Sequence, residues 1–193
     1  GENEGQTSVV RAEALVLAML RDLKLVSITL DGDDDAQIIF ETLNGRGAEL
    51  HATDLIRNYV FMRADRDAAN AELLYNNLWC NFESGYWNEP QRRGRLNKPR
   101  MEWLIHSMLQ AELHEEVDLA RLYHEYRRFA DGKQAQVQLT TLSGYANHYK
   151  ELVSGSGATP IARFGRQIAP YDVTTLHPLA LLIATSPSPD AEK

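Results

Sequence analysis

The sequence predicts a mainly α-helical protein, a helical bundle with one strand-helix-turn-helix edge, and three observations predict it. Apolar residues recur at three- and four-residue spacing over most of the 193 positions, the period of helices that bury one face. Only one segment, 24–30, alternates with the period of two expected of a half-buried strand. Gly and Pro gather at a few breaks and leave long uninterrupted stretches between them.

Residues 9–23 carry Val9, Val10, Leu15, Val16, Met19, Leu20 and Leu23 at helical spacing without Gly or Pro, and read as a helix. Residues 24–30 place Val26, Ile28 and Leu30 on one face and Ser27 and Thr29 on the other, and read as the chain's one convincing strand. The acidic run Asp31 to Asp35 leads into a helix with Ala36, Ile39, Phe40 and Leu43 on its inner face, because carboxylates complement the positive end of a helix dipole. Gly45 and Gly47 stop that helix, and another begins near Ala52 and runs to about Ala64, with Leu55, Ile56, Tyr59 and Val60 inward.

Helical stripes then follow one another. They are Leu73, Leu74, Leu78 and Phe82; Met101, Leu104, Ile105, Met108 and Leu109; Leu119, Leu122, Tyr123, Tyr126 and Phe129; and Leu142, Tyr145, Ala146, Tyr149 and Leu152. A last helix spans about 173–185. The breaks fall at Gly85 to Pro99, at Asp131 to Lys133, and at Ser154 to Pro160, the last read as a mobile loop, and the basic run Gln91 to Arg100 reads as a solvated loop. No internal repeat is present. The division expected is a partial core over 1–64 and a helical scaffold over 65–193.

Composition narrows the function classes. With 44% hydrophobic and 24% charged residues the chain is that of an ordinary globular protein that folds. A net charge of -7 repels nucleic-acid phosphates and argues against nonspecific DNA binding by the chain as a whole. A single cysteine, Cys80, and the lack of a signal peptide point to a reducing cytoplasm. The most apolar stretch, Leu176 to Ala184, is half the length of a membrane span, so no membrane partner is expected.

The most informative segment is Phe40-Glu-Thr-Leu-Asn44-Gly-Arg46-Gly47-Ala-Glu-Leu50, followed by Asp54-Leu55-Ile-Arg57-Asn58. A helix ends at an Asn, which tolerates the left-handed conformation and whose amide both donates and accepts. Glycines then permit close backbone approach, and the next helix presents its free N-terminal amides beside Asn44 and Arg46, which suits a phosphate or another anion. Turn chemistry alone makes such a segment a sharp corner more often than a binding site.

The pattern F-x-x-x-N-x-x-G-x-x-L followed by D-L-x-x-N resembles the second signature of the N-terminal domain of GmrSD-type modification-dependent restriction proteins, and the match covers residues 24–61. The resemblance implies a ParB/sulfiredoxin-like α+β core that binds and hydrolyses nucleotides, followed by helices, in an anti-phage defence protein. In the complete protein it implies a nucleoside triphosphate with Mg²⁺, DNA as a partner and a nuclease domain with an HNH motif. Phe40 and Leu50 would anchor the motif, Asn44, Arg46 and Gly47 would border the nucleotide, and Asp54 and Asn58 would brace them from the following helix. The family's Asp-Gly-Gln-Gln-Arg signature is absent, and Asp131-Gly132-Lys133-Gln134 is no substitute. The expectation is a fragment that begins downstream of that signature, needs the upstream half of the domain as its partner, holds no cofactor by itself and has no catalytic residue of its own. His51 stands where the family often has Ser, and a His caps a helix less well.

Other signals read more plainly. Asp31, Asp33 and Asp35 imitate a calcium loop, but Ala36 replaces its Gly and Thr42 its bidentate Glu. The six histidines lack zinc-site spacing, and no P-loop or nucleophile elbow occurs. Arg92, Arg93 and Arg95 form a basic cluster in an acidic chain and are the candidate nucleic-acid contacts, expected to be exposed and to bind weakly and salt-sensitively. Tyr86, Trp87 and Trp103 beside them read as core. The alternative to a nucleotide-handling fragment is a noncatalytic helical protein-interaction module.

Overall fold

A computed structural model describes residues 2–24 and 51–186. The strand expected over 25–30, the helix expected over 36–43, and Asn44, Arg46 and Gly47 lie outside the described residues. The fold is mainly helical, as the apolar periodicity predicts. The chain divides into two units, Gly1–Asp34 and Asp35–Lys193. In the first, α1 (Glu2–Asp22) covers the expected 9–23 helix and extends it toward the N-terminus. The expected boundary near residue 64 falls within the second unit.

The second unit is built around one buried helix and one central helix. In α2 (Ala52–Arg66), Leu55, Ile56, Val60 and Ala64 are buried, the i, i+4 stripe read from the sequence. A short α3 (Ala71–Leu74) is capped by Asn70, whose side chain accepts from Leu73 N at 3.0 Å. It passes into a π-helical turn, Tyr75–Trp79, and a 3₁₀ turn, Cys80–Glu83, before a single helical turn α4 (Gly85–Asn88). The change of pitch moves Leu73 out to solvent while Leu74, Trp79 and Phe82 turn inward, so the stripe expected from 3.6-residue periodicity is only half kept.

The break at Gly85 to Pro99, with the run Gln91 to Arg100 expected as a solvated loop, contains an antiparallel hairpin instead. Strands β1 (Pro90–Arg93) and β2 (Leu96–Pro99) pair in the register Pro90 to Pro99 and Arg93 to Leu96, leaving a two-residue turn with Gly94 at φ 57°. Glycine in the first central position is the signature of the type II′ turn, whose twist matches that of the flanking strands. Gln91 and Arg93 face inward and Arg92 outward, the period of two that a solvated loop lacks.

In α5 (Arg100–Leu113), Met101, Leu104, Ile105, Met108 and Leu109 are all buried, and against it pack α6 (Leu122–Ala130), α7 (Ala135–Ser154) and α9 (His177–Thr185). The central helix α7 also touches α2 and lies along α8 (Pro160–Ile168). Its N-terminus is held from a distance in sequence: Asp67, just beyond α2, accepts from Ala135 N at 2.8 Å and from Arg63 Nε at 2.9 Å. The negative carboxylate sits where the helix dipole is positive.

Ser154 to Pro160, expected to be mobile, is a pinned turn. Gly155 ends α7 at φ 63°, Arg166 donates to the carbonyls of Gly155 and Gly157, and Thr159 Oγ1 donates to Glu151 at 2.8 Å. Beyond it, α8 and α7 approach so closely that a Cβ on Gly165 would stand 2.0 Å from the Leu152 carbonyl oxygen. No helix among the described residues is long and apolar enough to cross a membrane.

Candidate functional site

Of the residues assigned to the nucleotide by resemblance, Asp54 and Asn58 are described. Both are exposed on α2 and stand four residues apart, one above the other on the helix face opposite Ile56 and Val60. Between them Arg57 pairs with Glu83 at 3.2 Å. The start of the helix is as loosely capped as the sequence suggests. His51 is its N-cap in extended conformation and makes no side-chain capping bond. The His51 ring turns instead toward α5, with Nδ1 3.5 Å from Glu102 Oε1, and Lys98 Nζ lies 3.8 Å from Glu102 Oε2. A buried carboxylate thus joins the hairpin, α5 and the residue that follows the Asn44 to Leu50 segment.

The three arginines of the basic cluster part company. Arg92 and Arg95 are exposed, as expected; Arg92 Nε donates to Gly94 O at 3.0 Å across the turn. Arg93 corrects the expectation. It is half-buried, with its guanidinium 4.7 Å from the Trp103 ring centroid and 5.8 Å from that of Tyr149. Its Nη2 donates to Tyr149 Oη at 2.6 Å and lies 3.4 Å from His177 Nδ1. Strand alternation causes this: in a hairpin with Arg92 outward, Arg93 must turn toward the bundle. Arg93 therefore departs from the expected exposure, and the fully exposed arginines of the hairpin are Arg92 and Arg95.

Around Arg93 the electrostatics are unusual for a half-buried cation, because no carboxylate among the described residues forms an ion pair with it. Aromatic faces and neutral oxygens take that role. Burial lowers the guanidinium pKa below its ordinary value, which Tyr149 and Asp172 partly offset. Burial, with the arginine charge beside it, pushes the His177 imidazole down to about 4. Tyr149 is pushed above the ordinary phenol range by burial and so stays protonated. Trp103 Nε1 completes the arrangement, donating to Gln91 O at 2.8 Å.

The sequence reading placed Trp103 and Tyr149 in the core, where they are, and His177-Pro178 at a helix start, where α9 begins. It did not bring Gln91, Arg93, Trp103, Tyr149 and His177 together. No motif signals a group drawn from a hairpin and three helices; the one clue was the alternation of Gln91 and Arg93 around Arg92. This closed cluster, whose one charge is the Arg93 guanidinium, is suited to holding the hairpin on the bundle. It presents no reactive pair to solvent.

Two clefts open elsewhere. One, of about 700 Å³, lies between α7, α8 and α9 and is mostly apolar, with Phe164, Leu179 and Ile183 among its walls. The other, of about 670 Å³ and more polar, lies between the Cys80–Glu83 turn and α7. Comparison with family models, with curated proteins and with solved structures gives no match to this chain.

Proposed function

We propose that the chain is part of a nucleotide-binding and nucleotide-hydrolysing domain of a modification-dependent DNA restriction protein of anti-phage defence, contributing one wall of the nucleotide pocket and a helical scaffold. The observation that carries the reading is the segment Phe40 to Asn58, whose F-x-x-x-N-x-x-G-x-x-L and D-L-x-x-N spacing resembles the family signature. The arrangement of α2 supports it: Leu55, Ile56 and Val60 hold the helix in the core, while Asp54 and Asn58 stay exposed on one face and are free to brace an adjoining loop. Asn44, Arg46 and Gly47 would line the nucleotide. The triphosphate, its Mg²⁺, DNA and a nuclease domain belong to the complete protein, and turnover requires the upstream signature this chain lacks.

The deciding experiment compares Asn44→Ala and Gly47→Ala in the full-length protein, measuring NTP hydrolysis, restriction and thermal stability together. The expected outcome is loss of turnover and restriction with melting temperature nearly unchanged. Turnover retained, or lost only with unfolding, makes the segment a structural corner.

In that case a noncatalytic protein-interaction module becomes the better reading. The specific observation in its favour is the apolar cleft between α7, α8 and α9, beside which Leu176, Leu179 and Ile183 are exposed.

A further inference from the structure

The polar cleft of about 670 Å³ between the Cys80–Glu83 turn and α7 has the size of a small-molecule site and contains groups that the fold itself does not use. Asn81 and Ser84 face it from one side, and Ser143 and Asn147, one helical turn apart on α7, from the other. Among the described residues none of these four side chains is engaged in a hydrogen bond with the protein. Cys80 is different: its thiol donates to Asn76 O at 2.9 Å, within the π-helical turn.

Charge decides what the cleft would take. Among the described residues its one acid, Glu83, is already satisfied, paired with Arg57 at 3.2 Å and accepting from Tyr75 Oη at 2.6 Å. Its one cation among the described residues is Lys150, and no described carboxylate forms an ion pair with it. The Lys150 ammonium lies 5.0 Å from the Trp87 ring centroid and 5.2 Å from that of Tyr86, so aromatic faces hold it at the cleft without neutralising it. Trp87 is only 1% exposed, which makes it a floor and not a surface for stacking.

We infer that this cleft binds a small ligand through a single anionic group, a carboxylate or a phosphate monoester, with Lys150 as its counter-charge and Asn81, Ser84, Ser143 and Asn147 as its hydrogen-bonding partners. A lone ammonium matches one anionic group. A triphosphate would need several cations or a metal ion, so the site is separate from the nucleotide pocket proposed above and does not depend on it.

The test uses the whole chain, with acetate and inorganic phosphate titrated separately at constant ionic strength against chloride, read by the backbone amide resonances of residues 80–84 and 143–150. Saturating shifts confined to those two segments are expected, and which anion saturates distinguishes the carboxylate from the phosphate source. Lys150→Met should weaken binding about tenfold or more, the loss expected of one charge-assisted hydrogen bond, while Lys150→Arg retains it. Asn147→Leu, which leaves the cation over its rings, should also weaken binding and guards against a Lys150→Met chain that unfolds. Linear shifts with both anions, or saturation undiminished in both Lys150→Met and Asn147→Leu, overturn the inference.

Discussion

Arg93 Nη2 donates to Tyr149 Oη over 2.6 Å, and this bond ties the β1–β2 hairpin to the central helix across 56 residues of sequence. Removing the guanidinium would leave the buried Tyr149 and His177 without that partner and uncover Trp103. Arg93→Ala is expected to destabilise the chain by about 2–4 kcal/mol, whereas exposed Arg95→Ala should change stability by less than about 0.5 kcal/mol. Urea unfolding of the two variants checks the contrast; equal effects would mean that Arg93 is as dispensable as its neighbour.

The same cluster makes a pH prediction. His177 has a folded-state pKa of about 4 against an ordinary value of 6.5, so between those values the unfolded chain binds the proton and the folded chain does not. Stability therefore rises with pH across that window and is lost as pH falls through it, by roughly 3 kcal/mol in all from this group. Carboxylates add their own acid dependence below about pH 4. The informative quantity is thus the difference between wild type and His177→Gln, which should show a shallower slope from pH 6.5 to 4.5. Titration of the His177 ring resonances supplies the direct measurement, and a midpoint near 6.5 contradicts the burial argument.

Asp67 is expected to act as a cap for a helix that begins 68 residues later. It accepts from Ala135 N and Arg63 Nε, so Asp67→Ala removes both an N-terminal partner of α7 and one half of an ion pair. A loss of about 1–2 kcal/mol is expected, with Asp67→Asn losing less because its amide oxygen still accepts. Exchange protection of the amides at the start of α7 reads the effect locally.

Gly165 is expected to tolerate no side chain. With the Leu152 carbonyl oxygen 2.0 Å from where a Cβ would stand, Gly165→Ala must force α7 and α8 apart. Helix propensity alone would favour Ala by about 1 kcal/mol, and overpacking costs about 1–3 kcal/mol or more. Backbone contact cannot relax as a side chain can, so the variant should be less stable than wild type. A melting temperature at or above wild type would show that the helices separate without cost.

For the hairpin arginines, any DNA affinity is expected to be weak and to fall steeply with salt, because each phosphate contact releases counterions. Arg92→Ala and Arg95→Ala should reduce the salt slope in a binding titration, and tight, salt-independent binding would contradict the assignment.

The sequence by itself determined the helices α2, α5, α6, α7 and α9 of the bundle, but not α8. Met101 to Leu109 and Leu142 to Leu152 repeat at the helical period because one face of each must leave water, and every residue named in those two stripes is buried. It also determined the weak cap at His51 and the helix start at His177-Pro178, since both depend only on neighbouring residues. Where the outcome hung on distant partners, local pattern failed. The run Gln91 to Arg100 looked like a solvated loop because its charges and Pro99 hide a strand signal, yet Trp103, Tyr149 and His177 supply a surface on which Arg93 is held. Asp67 became a cap only when α2 brought it beside Ala135, and the Cys80–Glu83 turn became a cleft wall only when α7 lay opposite it. Periodicity reports which residues must leave water, whereas hydrogen bonds and charges between segments 50 or more residues apart depend on where the packed helices set them down.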